Sequence, residues 1–466
     1  MTLLVLPLAV VWLGAAVLAL LDGRRRFVGW AAVAVLGANV AALAALGARV
    51  TEDGRQELVT GNWPRGVGIT LAADELGILF AVLSSAVLLV ALLYEVLAGV
   101  RSRTFPSLVL FMAAGLTGLF LTGDLFNFFV FFELSMIPAY VLSVYGDQAR
   151  RKIGAAFIFA VVNLLGSFIF LISVAGTYHV TGTLEMRDAA ERLADAEPAS
   201  VMLIAVGVFV AFGVKLGLFP FHFWLPPIYV GATPAVAAIL SGALANIGAY
   251  GLLRFGAALL PAELELGARA LIVIGSVSIL YGAMQALSRR DVREVLAYSS
   301  IGQAGYILVA LAVGGRVGFF AAVVYAVVNS ANKALLFLTA GLRGWLVGAA
   351  FVVGAFSVAG VPPSAGFFGK VAIFQAGVAE ESIALLVLLF VGGALSFVYM
   401  FQIYQHAFWR PEASAGGGEP SSAVLRGLTL GLAGVVVAFG IWPEPLLALS
   451  GGAADLLAGD SGESAP

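Results

Sequence analysis

The stretch that decides the fold runs from residue 201 to residue 228 and has the sequence VMLIAVGVFVAFGVKLGLFPFHFWLPPI. It is apolar enough to cross a lipid bilayer, whose core of roughly 30 Å needs about 20 helical residues. It nevertheless contains Lys215, which is followed by Pro220, Pro226 and Pro227, residues that interrupt a helix. A titratable group beside a broken membrane helix is typical of a transport site, because unwound backbone is tolerated where it lines a polar cavity.

Apolar stretches of similar length fill the sequence on both sides of this segment. The 466 residues are 61% hydrophobic and 11% charged, whereas a soluble domain carries roughly 25% charged residues. Since a helix satisfies its own backbone hydrogen bonds in lipid, we predict an all-α polytopic membrane protein with one transmembrane domain over residues 1–466. We expect a short polar tail at 450–466 and fourteen spans, at 2–21, 27–48, 75–100, 106–122, 125–145, 154–178, 201–228, 232–256, 268–287, 295–313, 316–340, 349–376, 383–407 and 423–442.

Basic residues alternate between the two sides of this arrangement. The loops that follow odd-numbered spans contain Arg24, Arg25 and Arg26; Arg101 and Arg103; Arg150, Arg151 and Lys152; Arg289, Arg290 and Arg293; Arg343; and Arg410. The loops that follow even-numbered spans are mixed or acidic. Because basic loops stay in the cytoplasm, the pattern predicts a multi-pass protein of the cell membrane with both termini outside the cytoplasm.

Composition also excludes several classes of function. The net charge of −2 provides no basic surface for nucleic acid. The absence of cysteine excludes disulfides and thiolate metal sites, and His179, His222 and His406 show no metal-ligand spacing. We therefore expect no cofactor, no bound metal and no nucleic-acid partner.

The lysines are the most unusual feature. The chain has four, and Lys215, Lys333 and Lys370 lie in predicted spans while only Lys152 lies in a loop. Placing a lysine in the bilayer costs at least about 2.5–3.5 kcal/mol. The pKa of a lysine falls readily on burial, whereas arginine stays charged. A buried lysine can thus release and regain a proton, and we interpret these three as members of a proton relay.

Glu133 is the matching acid. It lies in mid-span in LTGDLFNFFVFFELSMIPAY, residues 121–140. A proton moving near a Glu–Lys pair changes the electrostatic energy of the lysine. The alternative for Glu133 and Lys215 is a structural ion pair, and Lys333 and Lys370 could instead extend to the membrane surface.

Acidic residues near the ends of spans have a simpler explanation. Asp74, Glu75 and Asp124 all occupy such positions. We expect them to be solvated at the interface.

A second span is broken in the same manner as the first. Residues 359–374 have the sequence AGVPPSAGFFGKVAIF, in which Pro362 precedes Lys370. Discontinuous helices at corresponding positions of two halves indicate a transport site more strongly than one alone. Simple proline kinks are the alternative.

Five runs of sequence, in this order, resemble the antiporter-like subunits shared by Mrp-type Na⁺/H⁺ antiporters and respiratory complex I. They are LTGDLFNFFVFFE at 121–133, FPFHFWLPP at 219–227, REVLAYSSIGQAGYI at 293–307, NKALLFLTAG at 332–341 and AGVPPSAGFFGK at 359–370. Within this superfamily, GNWPRGVGITLAADELG at 61–77 looks most like the D-type branch of the Mrp antiporter subunits.

The resemblance implies two inverted five-helix repeats, at about 106–256 and 268–407, with broken seventh and twelfth spans. It also implies partners, namely other membrane subunits together with H⁺ and Na⁺ as transported ions. It implies that Glu133 and Lys215 are partners and that Lys333 and Lys370 are relay lysines. The supporting residues that it implies are His222, Pro220 and Pro362.

Two positions depart from the family pattern. Asn246 stands where these proteins usually place a lysine or histidine, and Asn329 stands where a histidine is common. Asparagine does not titrate, so the centre of the relay would need water.

Three functions fit these observations. The main hypothesis is a proton-translocating subunit of a multisubunit cation/proton antiporter, which is a secondary transporter rather than an enzyme. A proton-pumping subunit of a complex I-like or membrane-bound hydrogenase-type redox complex is the first alternative. The second is a structural membrane scaffold, an explanation that Asn246 and Asn329 keep open.

Overall fold

The structure is a computed structural model that describes residues 2–146, 149–409 and 422–459. Long helices dominate the described part of the chain. Helices of the first half are α1 Thr2–Ala19, α2 Arg26–Asp53, α3 Glu75–Ala98, α4 Phe105–Phe120, α5 Leu125–Ser143, α6 Ala149–Thr181, α7 Met186–Ala194, α8 Pro198–Leu216, α9 Leu225–Gly231, α10 Pro234–Ala238 and α11 Asn246–Gly251. Those of the second half are α12 Pro261–Leu287, α13 Val292–Val313, α14 Gly315–Ala340, α15 Trp345–Ala359, α16 Ala365–Ala379, α17 Ile383–Tyr404, α18 Ala423–Ile441 and α19 Glu444–Ala458.

Most of these helices have the length and composition of membrane spans. Within the described residues, eleven helical segments are long and apolar enough to cross a membrane. Four shorter apolar helices accompany them, at Leu3–Ala19, Phe105–Phe120, Trp345–Ala359 and Ala365–Ala379. The last two together occupy the single span expected at 349–376. The predicted polytopic helical architecture is therefore confirmed, while the count of fourteen stays a prediction.

Both expected helix breaks are present. Helix α8 ends at Leu216 with Gly217 in the left-handed conformation at φ 73°. A 3₁₀ turn at Phe221–Trp224 then leads into α9. In the second half, α15 ends at Ala359 with Gly360 at φ 81°, and α16 begins at Ala365. In each case a left-handed glycine stops the first half-helix.

The segment between these two broken helices that contains Asn246 is also irregular. Residues Pro234–Leu259 form one continuous helical stretch. It contains π-helical turns at Ile239–Leu244 and Leu252–Leu259. Such turns are rare and occur frequently at functional sites.

Helices α12 and α13 pack backbone against backbone through glycines. A Cβ atom added at Gly282 would lie 2.5 Å from the amide nitrogen of Gly302, and one added at Gly305 would lie 2.5 Å from the carbonyl oxygen of Gly275. Small residues allow this close approach, which is a common way for membrane helices to associate. We call these four residues the glycine seam.

One small departure from the all-α prediction lies between α2 and α3. Strand β1, Gln56–Val59, pairs antiparallel with β2, Thr70–Ala73. The connection contains Gly61 at φ 73° and Gly66 at φ 81°, conformations that favour glycine and permit the chain to turn back.

The prediction of a polar tail from residue 450 is wrong for residues 450–458, which belong to a helix. Helix α19 continues to Ala458 and packs against α3 and α14. Ser450, Ala453 and Leu457 are buried in that contact. Most residues of α19 are leucine, alanine or glycine, and their small or apolar side chains make one face of the helix suitable for packing. Residues 460–466 lie outside the described part of the chain.

Candidate functional site

Lys215 lies in the last turn of α8, directly before the first helix break, and is 4% exposed. Its Nζ donates to the sulfur of Met136 and to Oδ1 of Asn163 at 3.4 Å. The same nitrogen lies 4.7 Å from the ring centroid of Phe132. The amine is therefore held by a thioether, an amide and an aromatic face.

Glu133 is on the α5 segment that contacts Lys215. Met136 follows it by three residues, a spacing that places both side chains on the same side of the helix. Glu133 is half-buried, and its Oε1 is shielded from solvent without a hydrogen-bond partner among the described residues. Glu133 is close enough to act electrostatically on Lys215, but no described ion pair within 4.0 Å joins them. The structure thus places Glu133 near Lys215 without an ion pair between them.

Lys370 lies beside the second break and is 5% exposed. Its Nζ is 3.3 Å from the ring centroid of Tyr306 and 5.3 Å from that of Tyr325, and it has no hydrogen-bond partner among the described residues. The side-chain stem packs on Gly360, where an added Cβ would lie 2.5 Å from Cγ of Lys370. The glycine that stops α15 therefore also leaves room for the lysine.

A hydrogen-bond network extends from this aromatic group. The hydroxyl of Tyr325 donates to Oε1 of Gln303, and Nε2 of Gln303 donates to the hydroxyl of Tyr399 at 3.2 Å. Ser299 lies 2.9 Å from the same Tyr399 hydroxyl. Gln303 and Ser299 belong to the run at 293–307, which supported the family resemblance without suggesting a role for either residue.

Lys333 lies on α14 and is 6% exposed. It makes no hydrogen bond or ion pair with a described residue, and Asn329, one turn earlier, is 7% exposed. Lys333 is therefore buried rather than extended to a membrane surface. Since α14 also supplies Tyr325 and Ser330, this helix connects the surroundings of Lys370 with the centre of the bundle.

Asn246 occupies that centre. Its amide nitrogen donates to the hydroxyl of Ser84 at 2.9 Å, to the carbonyl of Gly242 at 2.9 Å and to the hydroxyl of Ser330 at 3.3 Å. The position where the resemblance implies a titratable residue thus holds a hydrogen-bonded amide that joins α3, the π-helical stretch and α14.

The supporting residues lie at the breaks. Pro220 precedes the 3₁₀ turn that contains His222. The Nδ1 atom of His222 is buried without a described hydrogen-bond partner, and its ring lies 4.4 Å from that of Tyr281. Pro362 lies between α15 and α16. No group of three or more His, Cys, Asp or Glu side chains in the described ranges could hold a metal ion.

Comparison with known proteins identifies the family. The family model for the transmembrane region of NADH:quinone oxidoreductase and Mrp antiporters matches residues 122–345 and 344–396. The chain belongs to this family. The D-type subunit of the Na⁺/H⁺ antiporter of Alkalihalophilus pseudofirmus is 32% identical over 77% of each chain. The N-type subunit of the NADH-quinone oxidoreductase of Desulforudis audaxviator is 32% identical over 85% of this chain and 84% of the relative.

Solved structures agree with this assignment. A chain of the Mrp complex from Dietzia sp. DQ12-45-1b has a TM-score of 0.89 and 28% identity, covering 99% of this chain and 98% of that one. A chain of respiratory complex I from Thermus thermophilus has a TM-score of 0.83 and 25% identity, covering 97% and 99%. This member of the NADH:quinone oxidoreductase/Mrp family is thus a multi-pass membrane protein with the antiporter-like fold.

Sequence reasoning missed a buried acid inside one of the described membrane-spanning helices of this family member. Glu95, near the end of α3, is 5% exposed, and its Oε1 accepts a 2.6 Å hydrogen bond from the hydroxyl of Tyr145. The signal was present in the sequence, since LLYEVLAG places a glutamate inside the apolar span predicted at 75–100.

The expectation that Asp74 is solvated is wrong. It is 2% exposed, caps α3 by accepting from the amide of Gly77 at 2.9 Å, and pairs with Arg254 at 2.6 Å. Burial alone would raise the pKa of Asp74, but the Arg254 guanidinium and the Gly77 hydrogen bond outweigh burial and hold that pKa below its usual value. The partner is an arginine 180 residues later, which no local pattern indicates.

Asp124 is also less solvated than expected. It is half-buried and accepts from the amide of Asn127 at 2.7 Å as the cap of α5. Its partial burial raises the pKa of Asp124.

Proposed function

We propose that the chain is a proton-translocating subunit of a multisubunit Na⁺/H⁺ antiporter, in which Glu133, Lys215, Lys333 and Lys370 carry the relay. The observation that carries this proposal is the environment of Lys215, whose amine contacts Met136 and Asn163 and has no carboxylate within ion-pair distance among the described residues. A group that stayed permanently charged would be costly at such a site. A group that alternates between charged and neutral forms is tolerated there.

Glu133 supplies the electrostatic control. Two unit charges 4 Å apart attract each other by about 4 kcal/mol at an effective dielectric of 20, and by less at the larger separation found here. When Glu133 takes up a proton, Lys215 loses this attraction and releases its own proton towards α14. Lys333 and Lys370 are the buried groups that continue the path.

The centre of the path contains no titratable group at Asn246. Its hydrogen bonds to Ser84 and Ser330 join the two halves of the bundle. We propose that a proton passes this point through hydroxyl groups and water, or that the two halves act on each other through their charges.

The topology and partners follow from the same reasoning. The arginine-rich loops favour a cell-membrane protein with both termini outside the cytoplasm. The relatives are named as subunits of larger complexes, which supports association with other membrane proteins of such a complex.

A redox-driven complex is the second candidate. It is favoured by the 32% identity to the N-type oxidoreductase protein of Desulforudis audaxviator, which equals the identity to the D-type antiporter protein of Alkalihalophilus pseudofirmus. Neighbouring genes distinguish the two: genes for small antiporter subunits support the first, and genes for iron–sulfur or hydrogenase subunits support the second. The scaffold alternative has less support, because three buried lysines that form no ion pair with a described residue would only cost stability.

Two substitutions at Lys215 test the relay. Lys215→Ala should abolish Na⁺/H⁺ antiport, measured as the pH change in everted vesicles, while co-purification shows that the complex still assembles. Lys215→Arg should fail as well, because arginine keeps its proton. A structural role for the charge predicts instead that arginine restores activity. Transport near the wild-type rate in the arginine variant would contradict the proposal.

A further inference from the structure

A polar cavity opens at the end of the bundle that bears the arginine-rich loops. Its volume is about 580 Å³, enough for on the order of 20 water molecules at ~30 Å³ each. The polar side chains that line it include Tyr94, Glu95, Arg101, Lys152, Thr233 and Arg293. The hydroxyl of Thr233 is buried without a described hydrogen-bond partner. We call this space the basic-end cavity.

Among the described residues that line this cavity, Glu95 is the one acidic side chain. It lies near the end of an apolar helix, where an ionisable residue is costly and a functional role is the first hypothesis. The Tyr145 hydroxyl donates to it at 2.6 Å and accepts from the backbone N–H of Arg101 at 3.0 Å. Glu95 is thus hydrogen-bonded on one side and borders the cavity on the other.

Tyr145 leads from Glu95 towards the relay. It lies two residues beyond Ser143, the end of α5, and the helix from Glu133 to Ser143 is about 15 Å long. Tyr140 lies between them, two helical turns from Glu133. Its hydroxyl and Oε1 of Glu133 are both buried without described hydrogen-bond partners, and the two residues are near enough to interact electrostatically. Tyr145, Tyr140 and Glu133 therefore lie at successive positions along the chain between the cavity and the relay, and the seven-residue spacing places Tyr140 and Glu133 on the same face of α5.

We propose that Glu95 is the proton-loading residue of this protein, which takes a proton from water in the basic-end cavity and passes it along Tyr145 and Tyr140 to Glu133. Each hydroxyl accepts a proton on its oxygen and releases its own to the next group, with water molecules joining the hydroxyls. One proton leaves Glu95 and one arrives at Glu133, and both tyrosines end neutral. The inference rests on the proposed function of Glu133 and Lys215.

The alternative role for Glu95 is a structural one, in which its hydrogen bond with Tyr145 joins α3 to the end of α5. Two substitutions separate the roles, because the proton-loading role predicts faster antiport in Glu95→Asp than in Glu95→Gln, whereas the structural role predicts the reverse order. Glu95→Gln keeps the length and the acceptor oxygen but cannot carry a proton. Glu95→Asp keeps the titratable group but is one methylene shorter, so the hydrogen bond weakens.

The experiment measures initial antiport rates of the assembled complex in vesicles, with co-purification as the assembly check. We expect Glu95→Gln to lower the rate by about tenfold or more, as removal of a proton-transfer group commonly does, and Glu95→Asp to stay nearer to wild type. Glu294→Gln is the matched control, since this glutamate lies at the same end of the bundle, on α13, and does not line the cavity.

Tyr140→Phe provides an independent test. It removes a hydroxyl that makes no described hydrogen bond, so folding should be unaffected, and we expect the antiport rate to fall. An unchanged rate in Tyr140→Phe would overturn the route. A wild-type rate in Glu95→Gln, or an aspartate variant slower than the glutamine variant, would overturn the loading role.

Lys215→Ala in the same assay keeps the two proposals distinguishable. If Lys215→Ala is inactive while Glu95→Gln is normal, only the loading role is wrong. If both variants are normal, the relay itself is wrong.

Discussion

At the scale of single residues, buried arginine and buried lysine are treated differently. Arg254 is paired with Asp74 at 2.6 Å, and the two side chains are 12% and 4% exposed. Lys215, Lys333 and Lys370 have no carboxylate partner of this kind among the described residues. Arginine cannot lose its proton inside a protein and therefore needs a counter-charge, whereas lysine can alternate between charged and neutral forms. The presence or absence of a carboxylate partner therefore distinguishes the structural ion pair of Arg254 from the candidate relay lysines.

The Asp74–Arg254 pair should contribute strongly to stability. Asp74→Asn strands a buried guanidinium, and removing one partner of a buried pair costs about 3–5 kcal/mol. We expect a lower thermal unfolding temperature for the purified protein in detergent, with Glu52→Gln, at an exposed position, as the control.

The pair also predicts a pH dependence. Because the folded-state pKa of Asp74 is lowered from 3.8, its stabilisation is present above about pH 4 and is lost as the pH falls through the folded-state value. The difference between wild type and Asp74→Asn should therefore shrink only in acid. Equal unfolding temperatures at pH 7 would show that the pair is dispensable.

At the scale of secondary-structure elements, the two broken helices share one design. Each first half-helix ends at a left-handed glycine, Gly217 or Gly360, and a buried lysine lies nearby. Lys215 precedes its glycine, whereas Lys370 follows its glycine and lies in the second half-helix. Both helix breaks therefore have a buried lysine amine nearby, but the lysine is N-terminal to the first break and C-terminal to the second.

Gly360 should be sensitive to the smallest possible substitution. Gly360→Ala forces a Cβ into a backbone with φ 81° and to within 2.5 Å of Cγ of Lys370. The left-handed conformation alone costs roughly 1–2 kcal/mol for a residue with a side chain. We expect lower thermal stability and reduced antiport, because Lys370 is displaced.

The matched control is Gly393→Ala on α17, where an added Cβ would meet no atom within 4 Å. Indistinguishable stability and transport in the two variants would refute a special role for Gly360.

The sequence allowed the helix breaks to be predicted because proline, glycine and lysine act locally. It also placed Glu133 and Lys215 in apolar spans, and the structure brings them into one group. Long-range partners could not be predicted, since nothing near Asp74 in sequence indicates Arg254. Helix α19 was missed for a related reason: its packing depends on the faces that α3 and α14 present to it. Glu95 was predictable but overlooked.

At the scale of the whole molecule, apolar side chains form both the core and the outer surface. Helix α6 exposes Phe157 by 68%, Leu165 by 59% and Ile172 by 71%, which is the surface expected towards lipid or a neighbouring membrane protein. The polar exceptions within this core are Lys215, Lys333, Lys370 and the hydrogen-bonded Asn246. Ionisable residues inside a membrane protein point to a function, and these residues lie on the proposed path for ions through the bundle.

The topology can be tested without a background signal, because the chain has no cysteine. A single cysteine introduced at Asp460, outside the described residues, should react with a membrane-impermeant reagent in intact cells. Arg101→Cys, in the arginine-rich loop that follows α3, should react only after permeabilisation. Protection of residue 460 would overturn the proposed orientation. Arg410, which belongs to the arginine pattern that predicts this orientation, also lies outside the described residues.

The glycine seam has a consequence for how this family can diverge. A Cβ atom added at Gly275, Gly282 or Gly305 would lie within 3.0 Å of the neighbouring helix and would push α12 and α13 apart, whereas one added at Gly302 would meet only ordinary contacts from 3.4 Å. Tyr306, which lies over the amine of Lys370, is the next residue after Gly305. A side chain at Gly275, Gly282 or Gly305 would therefore also shift Tyr306, which contacts the relay residue Lys370. In an alignment of distant homologues, or in a saturation library selected for salt tolerance, these three positions should accept fewer replacements than the lipid-facing positions of the same two helices.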